Sequence, residues 1–144
     1  MDLIQKALNI AINAHKGVVD KGGVDYVFHP ITVALECKTD DEKIVALLHD
    51  VVEDTPVTLD DLRKDFPEYI VEAVDAVTRR KPQEQYGAAR WDYIKRCKAN
   101  PIARAVKIAD LKHNSDLSRI PNPSDSFKKR VLEEYPAEIE FLKN

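Results

Sequence analysis

The stretch Ala46-Leu47-Leu48-His49-Asp50-Val51-Val52-Glu53-Asp54-Thr55 decides how this chain reads. Just upstream, Thr39 and Glu42 have the spacing of a capping box. A helix is therefore expected to open after Thr39, run through Ile44, Val45, Leu47, Leu48, Val51 and Val52, and stop at Thr55 ahead of Pro56. Its apolar positions cover most of its circumference, yet His49, Asp50, Glu53 and Asp54 interrupt them at i, i+1, i+4 and i+5, which gathers four ionisable groups on one face. Unpaired buried charges cost several kcal/mol each, so a helix this apolar calls for a compensating cation.

Outward from that helix, every recognisable period is helical. Leu3, Ile4, Ala7, Leu8, Ala11 and Ala14 predict a helix from residue 2 to about 18, ended near Lys21-Gly22-Gly23. Pro30 suits a first helical position, so a short helix through Ile31, Val33, Ala34 and Leu35 places His29 at its entrance. Thr58 caps a helix with Leu59, Leu62 and Phe66, and a further one after Pro67 carries Ile70, Val71, Val74 and Val77. Residues 79–87 read as a surface loop able to hang over a pocket. Residues 88–99 form a helix with Trp91, Ile94 and Cys97 inward, and Pro101 begins another whose apolar face is broken by Asp110, His113 and Asn114. After Pro121-Asn122-Pro123, Ser124 caps a last helix, with Ile139 and Leu142 finishing the chain beyond Pro136. No alternating strand pattern of useful length appears. The expected fold is all-α, a single bundle of about seven to nine helices over residues 1–144.

Composition narrows the function classes. The 144 residues suit one domain, and 44% hydrophobic with 33% charged residues is ordinary for a globular protein with a real core. A net charge of −3 argues against nucleic-acid binding, which needs clustered Lys and Arg, but leaves a small phosphorylated nucleotide open as a ligand. Cys37 and Cys97 match no metal spacing and read as free, half-buried thiols of a reducing compartment. Neither a signal peptide nor an apolar run of membrane-spanning length is present, so a cytoplasmic location is expected.

The chemistry sits in the interrupted helix and its neighbours. Adjacent histidine and aspartate side chains differ enough in length to converge on one metal, and His29 and Asp110, at or within other apolar helix faces, are the natural remaining ligands. Two histidines and two aspartates leave coordination positions open for water, whose pKa such an ion lowers towards 7. Glu53 and Asp54, one turn beyond, suit general acid or base roles. His15 and His113, at the polar margins of their helices, read as hydrogen-bonded scaffold.

These residues carry a resemblance that covers nearly the whole chain. Ala14-His15-Lys16-Gly17, Asp20-Lys21, Tyr26 through His29-Pro30, the block from Ala46 to Thr55, Val77-Thr78-Arg79, Tyr86, and Val106 through Asn114 are similar to the hydrolase domain of bifunctional alarmone synthetase/hydrolases and of stand-alone small alarmone hydrolases, in the HD superfamily. The resemblance implies an HD-domain phosphohydrolase with metal ligands His29, His49, Asp50 and Asp110, usually holding manganese, and with Glu53 and Asp54 as the acidic pair. It also implies a nucleotide pocket lined by Lys21 and Asn114, and removal of the 3′-pyrophosphate from guanosine tetra- or pentaphosphate. Iron and zinc stay open, because availability and geometry select among such ions more than ligand type does.

The chain departs from the family pattern at three places: Asp20 stands where an arginine usually precedes the pocket lysine, Val18 where a glutamine is usual, and Asp25 where a proline is usual. An acidic group cannot stack on a base as a guanidinium can. Two other readings therefore accompany the first: a phosphatase acting on another ester, such as a nucleotide monophosphate or NADPH, and a non-catalytic nucleotide-binding module. Within these 144 residues a synthetase domain is not expected.

Overall fold

The computed structural model describes residues 2–144. Ten α-helical segments follow one another: α1 (Leu3–Ala14), α2 (Phe28–Leu35), α3 (Asp40–Leu48), α4 (Val51–Asp54), α5 (Leu59–Arg63), α6 (Glu68–Val77), α7 (Gly87–Ala99), α8 (Pro101–Asn114), α9 (Asp125–Lys129) and α10 (Tyr135–Lys143). No strand occurs among the described residues; an isolated bridge pairs Val19 with Asp25. The fold is all-α as expected. No helix among the described residues is long and apolar enough to cross a membrane.

α3 is the central helix, and α1, α2, α6 and α8 pack around it. The reason is visible in its sequence: Ile44 through Leu48 are all buried, so this segment needs neighbours on every side. Val33, Val74, Ile94, Val106 and Leu111 join it in one cluster drawn from five helices. Capping follows the sequence closely. The Thr39 hydroxyl accepts from the Glu42 N–H while Glu42 reaches back to the backbone of Thr39, Thr58 and Asp61 form a second such box, and Asn100 and Ser124 cap α8 and α9.

Three details differ from the sequence reading. α1 ends at Ala14, four residues early, because Gly17 at φ +83° turns the chain. Tyr93 replaces Trp91 as the inward aromatic of α7: Tyr93 is fully buried and donates its hydroxyl to the Val77 carbonyl, whereas Trp91 lies at the surface against Phe141. Pro136 does not end the last helix; a π-turn over Arg130–Glu134 joins α9 to α10, widening the backbone where the proline ring cannot fit a normal turn. With α3 and α4 as two parts of one broken helix and α9 to α10 continuous, eight helical runs remain among the described residues.

The loop between α6 and α7 is held more firmly than its composition suggests. Glu84, in a short 3₁₀ turn over Pro82–Gln85, is buried against Arg96, which also donates to the Thr78 carbonyl. A buried Arg90–Glu138 pair, bonded at 2.9 and 2.8 Å, fastens α7 to α10. Cys37 and Cys97 are both free and buried.

Candidate metal centre

The expected helix over 39–55 breaks at the two residues that matter most. After Leu48 the backbone tightens: the His49 N–H reaches the Ala46 carbonyl, three residues back, and the His49 ring Nδ1 bonds the same carbonyl at 2.6 Å. That ring contact makes Nδ1 a donor to the backbone and turns Nε2 toward the carboxylates, so Nε2 is the nitrogen that would meet a metal. Asp50 then stands at the N-cap position of α4, which restarts at Val51, with its side chain left out of the cap. The break turns His49 and Asp50 toward a common point that an unbroken helix would spread over about 100°.

Around that point stand four groups from three regions of the chain. Asp110 Oδ1 lies 2.9 Å from His29 Nε2 and 3.2 Å from His49 Nε2, and Asp50 Oδ2 lies 3.1 Å from His49 Nε2 and 3.7 Å from His29 Nε2. His29 comes from the first turn of α2, His49 and Asp50 from the break, and Asp110 from the third turn of α8. His29, His49 and Asp110 are buried, and each offers one ligand atom within 4.8 Å of the others. Two imidazole nitrogens and two carboxylate oxygens converging in a buried pocket are a donor set for a divalent ion.

The second oxygen of Asp110 and the second nitrogens of both histidines are occupied, as the outer partners of metal ligands usually are, and Asp50 is held through its inward-facing oxygen. Lys107 donates to Asp110 Oδ2 at 2.8 Å and Asn114 to Asp110 Oδ1 at 3.2 Å. The Tyr26 hydroxyl donates to Asp50 Oδ2. His29 Nδ1 meets His113 Nδ1 at 2.7 Å, with the two rings stacked 18° from parallel. Burial and the nearby Arg119 push the His113 imidazole down to about 4, so it stays neutral and can accept from His29. Although burial opposes ionisation, Lys107 and the two histidines hold Asp110 well below the usual carboxylate range, and His49 does the same for Asp50.

Glu53 and Asp54 fall on different sides of the same chemistry. Glu53 commits both oxygens to Arg79, accepting from its backbone N–H at 2.8 Å, its Nε at 3.1 Å and its Nη2 at 2.8 Å. The Asp54 carboxylate has no hydrogen-bond or ion-pair partner among the described residues, its backbone N–H alone bonding the Asp50 carbonyl. Its carboxyl is pushed up to about 6 by partial burial and by the negative charges of Asp50 and Glu53. Asp50, Glu53 and Asp54 each bring a carboxylate oxygen within 4.8 Å of the other two.

Two chambers meet at this centre. One, of about 380 Å³, is walled by Val18, Val19, Lys21, Ile120 and Phe127, with Asp20 and Arg119 among its polar groups. The other, about 160 Å³, is lined by Asp50, Glu53, Asp54, Arg79, Arg90, Lys107 and Arg130. Tyr26, His29, Asn114 and Tyr135 belong to both. Lys21 and Asn114, singled out from the sequence, therefore line the first chamber, Lys21 with its ammonium 4.1 Å above the Phe127 ring. His15 is buried against the Tyr26 ring and His113 stacks on His29, so both support the centre. Sequence reasoning assigned no role to Lys107, Arg130 or Tyr135. Lys107 alone left a signal, as a lysine three residues before Asp110 on the same apolar helix.

Comparison with known proteins bears on the family of the chain. The family described as the HD domain matches residues 7–113. A GTP pyrophosphokinase of Streptomyces coelicolor is 34% identical over 119 residues, covering 77% of this chain and 14% of that protein. A guanosine-3′,5′-bis(diphosphate) 3′-pyrophosphohydrolase of Borreliella burgdorferi is 35% identical over 150 residues, covering 92% and 22%. The bifunctional (p)ppGpp synthase/hydrolase SpoT of Escherichia coli is 39% identical over 80 residues, covering 53% and 11%. The chain thus spans less than a quarter of the length of these relatives. A solved structure described as a metazoan ortholog of SpoT that hydrolyses ppGpp shares the fold at a TM-score of 0.78 and 22% identity, over 99% of this chain and 85% of that one. With its all-α bundle and a family match that takes in His29, His49, Asp50 and Asp110, the chain belongs to the HD-domain family.

Proposed function

We propose that the chain is a metal-dependent phosphohydrolase that removes the 3′-pyrophosphate from guanosine tetra- or pentaphosphate, with manganese as its ion. The observation that carries this reading is the convergence of His29, His49, Asp50 and Asp110 at the smaller chamber, with His29 also bordering the larger one. The relatives named for this reaction point the same way.

The four converging side chains would hold the ion, and Lys107, Tyr26, His113 and the Ala46 carbonyl would keep them oriented. A divalent cation bound there supplies Lewis acidity and brings the deprotonation of water within reach of neutral pH. The small chamber suits the pyrophosphate: among the described residues Arg130 has one hydrogen bond, to the Gln85 carbonyl at 3.2 Å, and a looser ion pair with Glu134 at 3.7 Å, which leaves donors for phosphate oxygens. Asp54, with a carboxyl near 6 and no competing partner, takes a proton from the attacking water. Glu53, bound on both oxygens, fixes Arg79 at the chamber wall. The larger chamber takes the nucleoside, in contact with Lys21, Asn114 and Tyr135.

The test is direct. Purified protein with Mn²⁺ should release pyrophosphate and GDP from ppGpp. Orthophosphate from simple esters, with ppGpp untouched, would overturn the substrate while leaving the metal centre standing.

A further inference from the structure

The larger chamber contains a pair of charges that the metal chemistry does not use. Asp20 Oδ1 accepts from the Gly22 and Val24 N–H groups at 2.8 and 3.0 Å, which shapes the turn after α1. Its other oxygen faces Arg119 Nη1 at 3.5 Å, across 99 positions of sequence. Arg119 also donates through Nη2 to the His113 carbonyl at 3.0 Å, so its guanidinium is held at both ends of the fork. Its Nε–H is buried and meets no acceptor. The loop and the 117–119 turn touch closely, since a side chain on Gly22 would collide with the Arg119 carbonyl.

Charge decides what such a fork can meet. Phosphate is drawn to corners of net positive charge, and Asp20 cancels the charge of this one. The cations of the smaller chamber are paired as well, but Arg130, with one hydrogen bond to the Gln85 carbonyl and Glu134 no nearer than 3.7 Å, keeps spare donors there for phosphate. An uncharged ring with acceptors on its edge is a better partner for a neutralised guanidinium framed by apolar Val18, Val19 and Ile120.

We propose that Arg119, positioned by Asp20, is a specificity-determining residue of the larger chamber that donates to the 6-oxo edge of a guanine base. The inference rests on the nucleotide reading above and goes beyond it by naming the group that selects the base. It also gives Asp20 a role: the acidic residue places an arginine supplied from the far side of the chamber.

Calorimetry of the manganese-loaded protein tests this with three probes: GDP, 2-aminopurine riboside 5′-diphosphate, which keeps the 2-amino group and lacks the 6-oxo group, and inorganic pyrophosphate. Wild type should bind GDP about tenfold more tightly than the 2-aminopurine riboside analogue, the discrimination expected of a good base-edge contact. Arg119→Ala should bind the two equally while its pyrophosphate affinity stays within about twofold, since that probe occupies the other chamber. Arg119→Lys, which keeps the charge and loses the fork, should recover only part of the preference. If Arg119 merely latches the loop, GDP and its analogue weaken together and the preference survives in Arg119→Ala, which overturns the proposal. A wild type without preference overturns it too. Turnover of ppGpp is read separately: hydrolysis with no base preference sinks this inference alone, and base preference without hydrolysis sinks the substrate reading alone.

Discussion

The two chambers that meet at His29 handle charge in opposite ways. In the smaller one, carboxylates and cations stand in close pairs around the converging ligands, Glu53 with Arg79 and Asp110 with Lys107, and Arg130 is left with spare donors. In the larger one the charges are few, and one pair, Asp20 with Arg119, is neutral as a unit amid apolar side chains. The difference separates chemistry from recognition. Substitutions on one side should change turnover and metal affinity, and those on the other should change which ligand is held.

The largest break in that comparison is at the converging ligands themselves. Asp50→Asn should lower the release of pyrophosphate from ppGpp by about 10³-fold or more, because a bound metal contributes several kcal/mol to such a reaction. Metal analysis of the purified variant should show a matching loss of manganese. Next comes Asp54→Asn, expected to reduce kcat by about 10²- to 10⁴-fold, the span of a general base, with the metal retained. The pH profile sharpens this assignment. Asp54 serves as a base only when ionised, and its carboxyl sits near 6, so wild-type activity should fall as pH drops through about 6. The residual activity of Asp54→Asn should lack that limb; a profile unchanged in shape would remove Asp54 from the mechanism.

Smaller effects test the supports. Lys107→Met removes the donor to Asp110 Oδ2, and loss of such an outer partner typically weakens metal binding about 10- to 100-fold, so excess Mn²⁺ should restore most of the rate. A rate that stays low at saturating metal would place Lys107 on the substrate instead. Gly22→Ala should force the 20–24 loop away from Arg119 and raise KM for ppGpp by less than about tenfold with kcat unchanged. A fall in kcat there would show that the chambers are not independent.

Much of this was legible without coordinates. The capping boxes at Thr39 and Thr58, the helix starts at Pro101 and Ser124, and the buried run from Ile44 to Leu48 follow from local rules that act within a few residues. What the sequence hid is the break at His49. Period alone continues that helix to Thr55, and a ring bonding a carbonyl three residues back has no signature in hydrophobic pattern. Trp91 and Tyr93 exchanged places for a similar reason. Both are aromatic residues on one helix, and the Val77 carbonyl that takes the Tyr93 hydroxyl lies on another.

By itself the sequence determined an all-helical chain and a set of ionisable groups too deeply set among apolar residues to stand without a cation, because periodicity and the cost of burying charge are local and additive enough to be read in order. The tertiary structure alone decided how those groups divide their work: that Glu53 is bound on both oxygens while the Asp54 carboxylate has no partner among the described residues, that Lys107 braces Asp110, and that Asp20 faces Arg119. Each depends on which side chain from a distant segment arrives within about 3 Å, and at that distance a single hydrogen bond determines whether a charge is available or used.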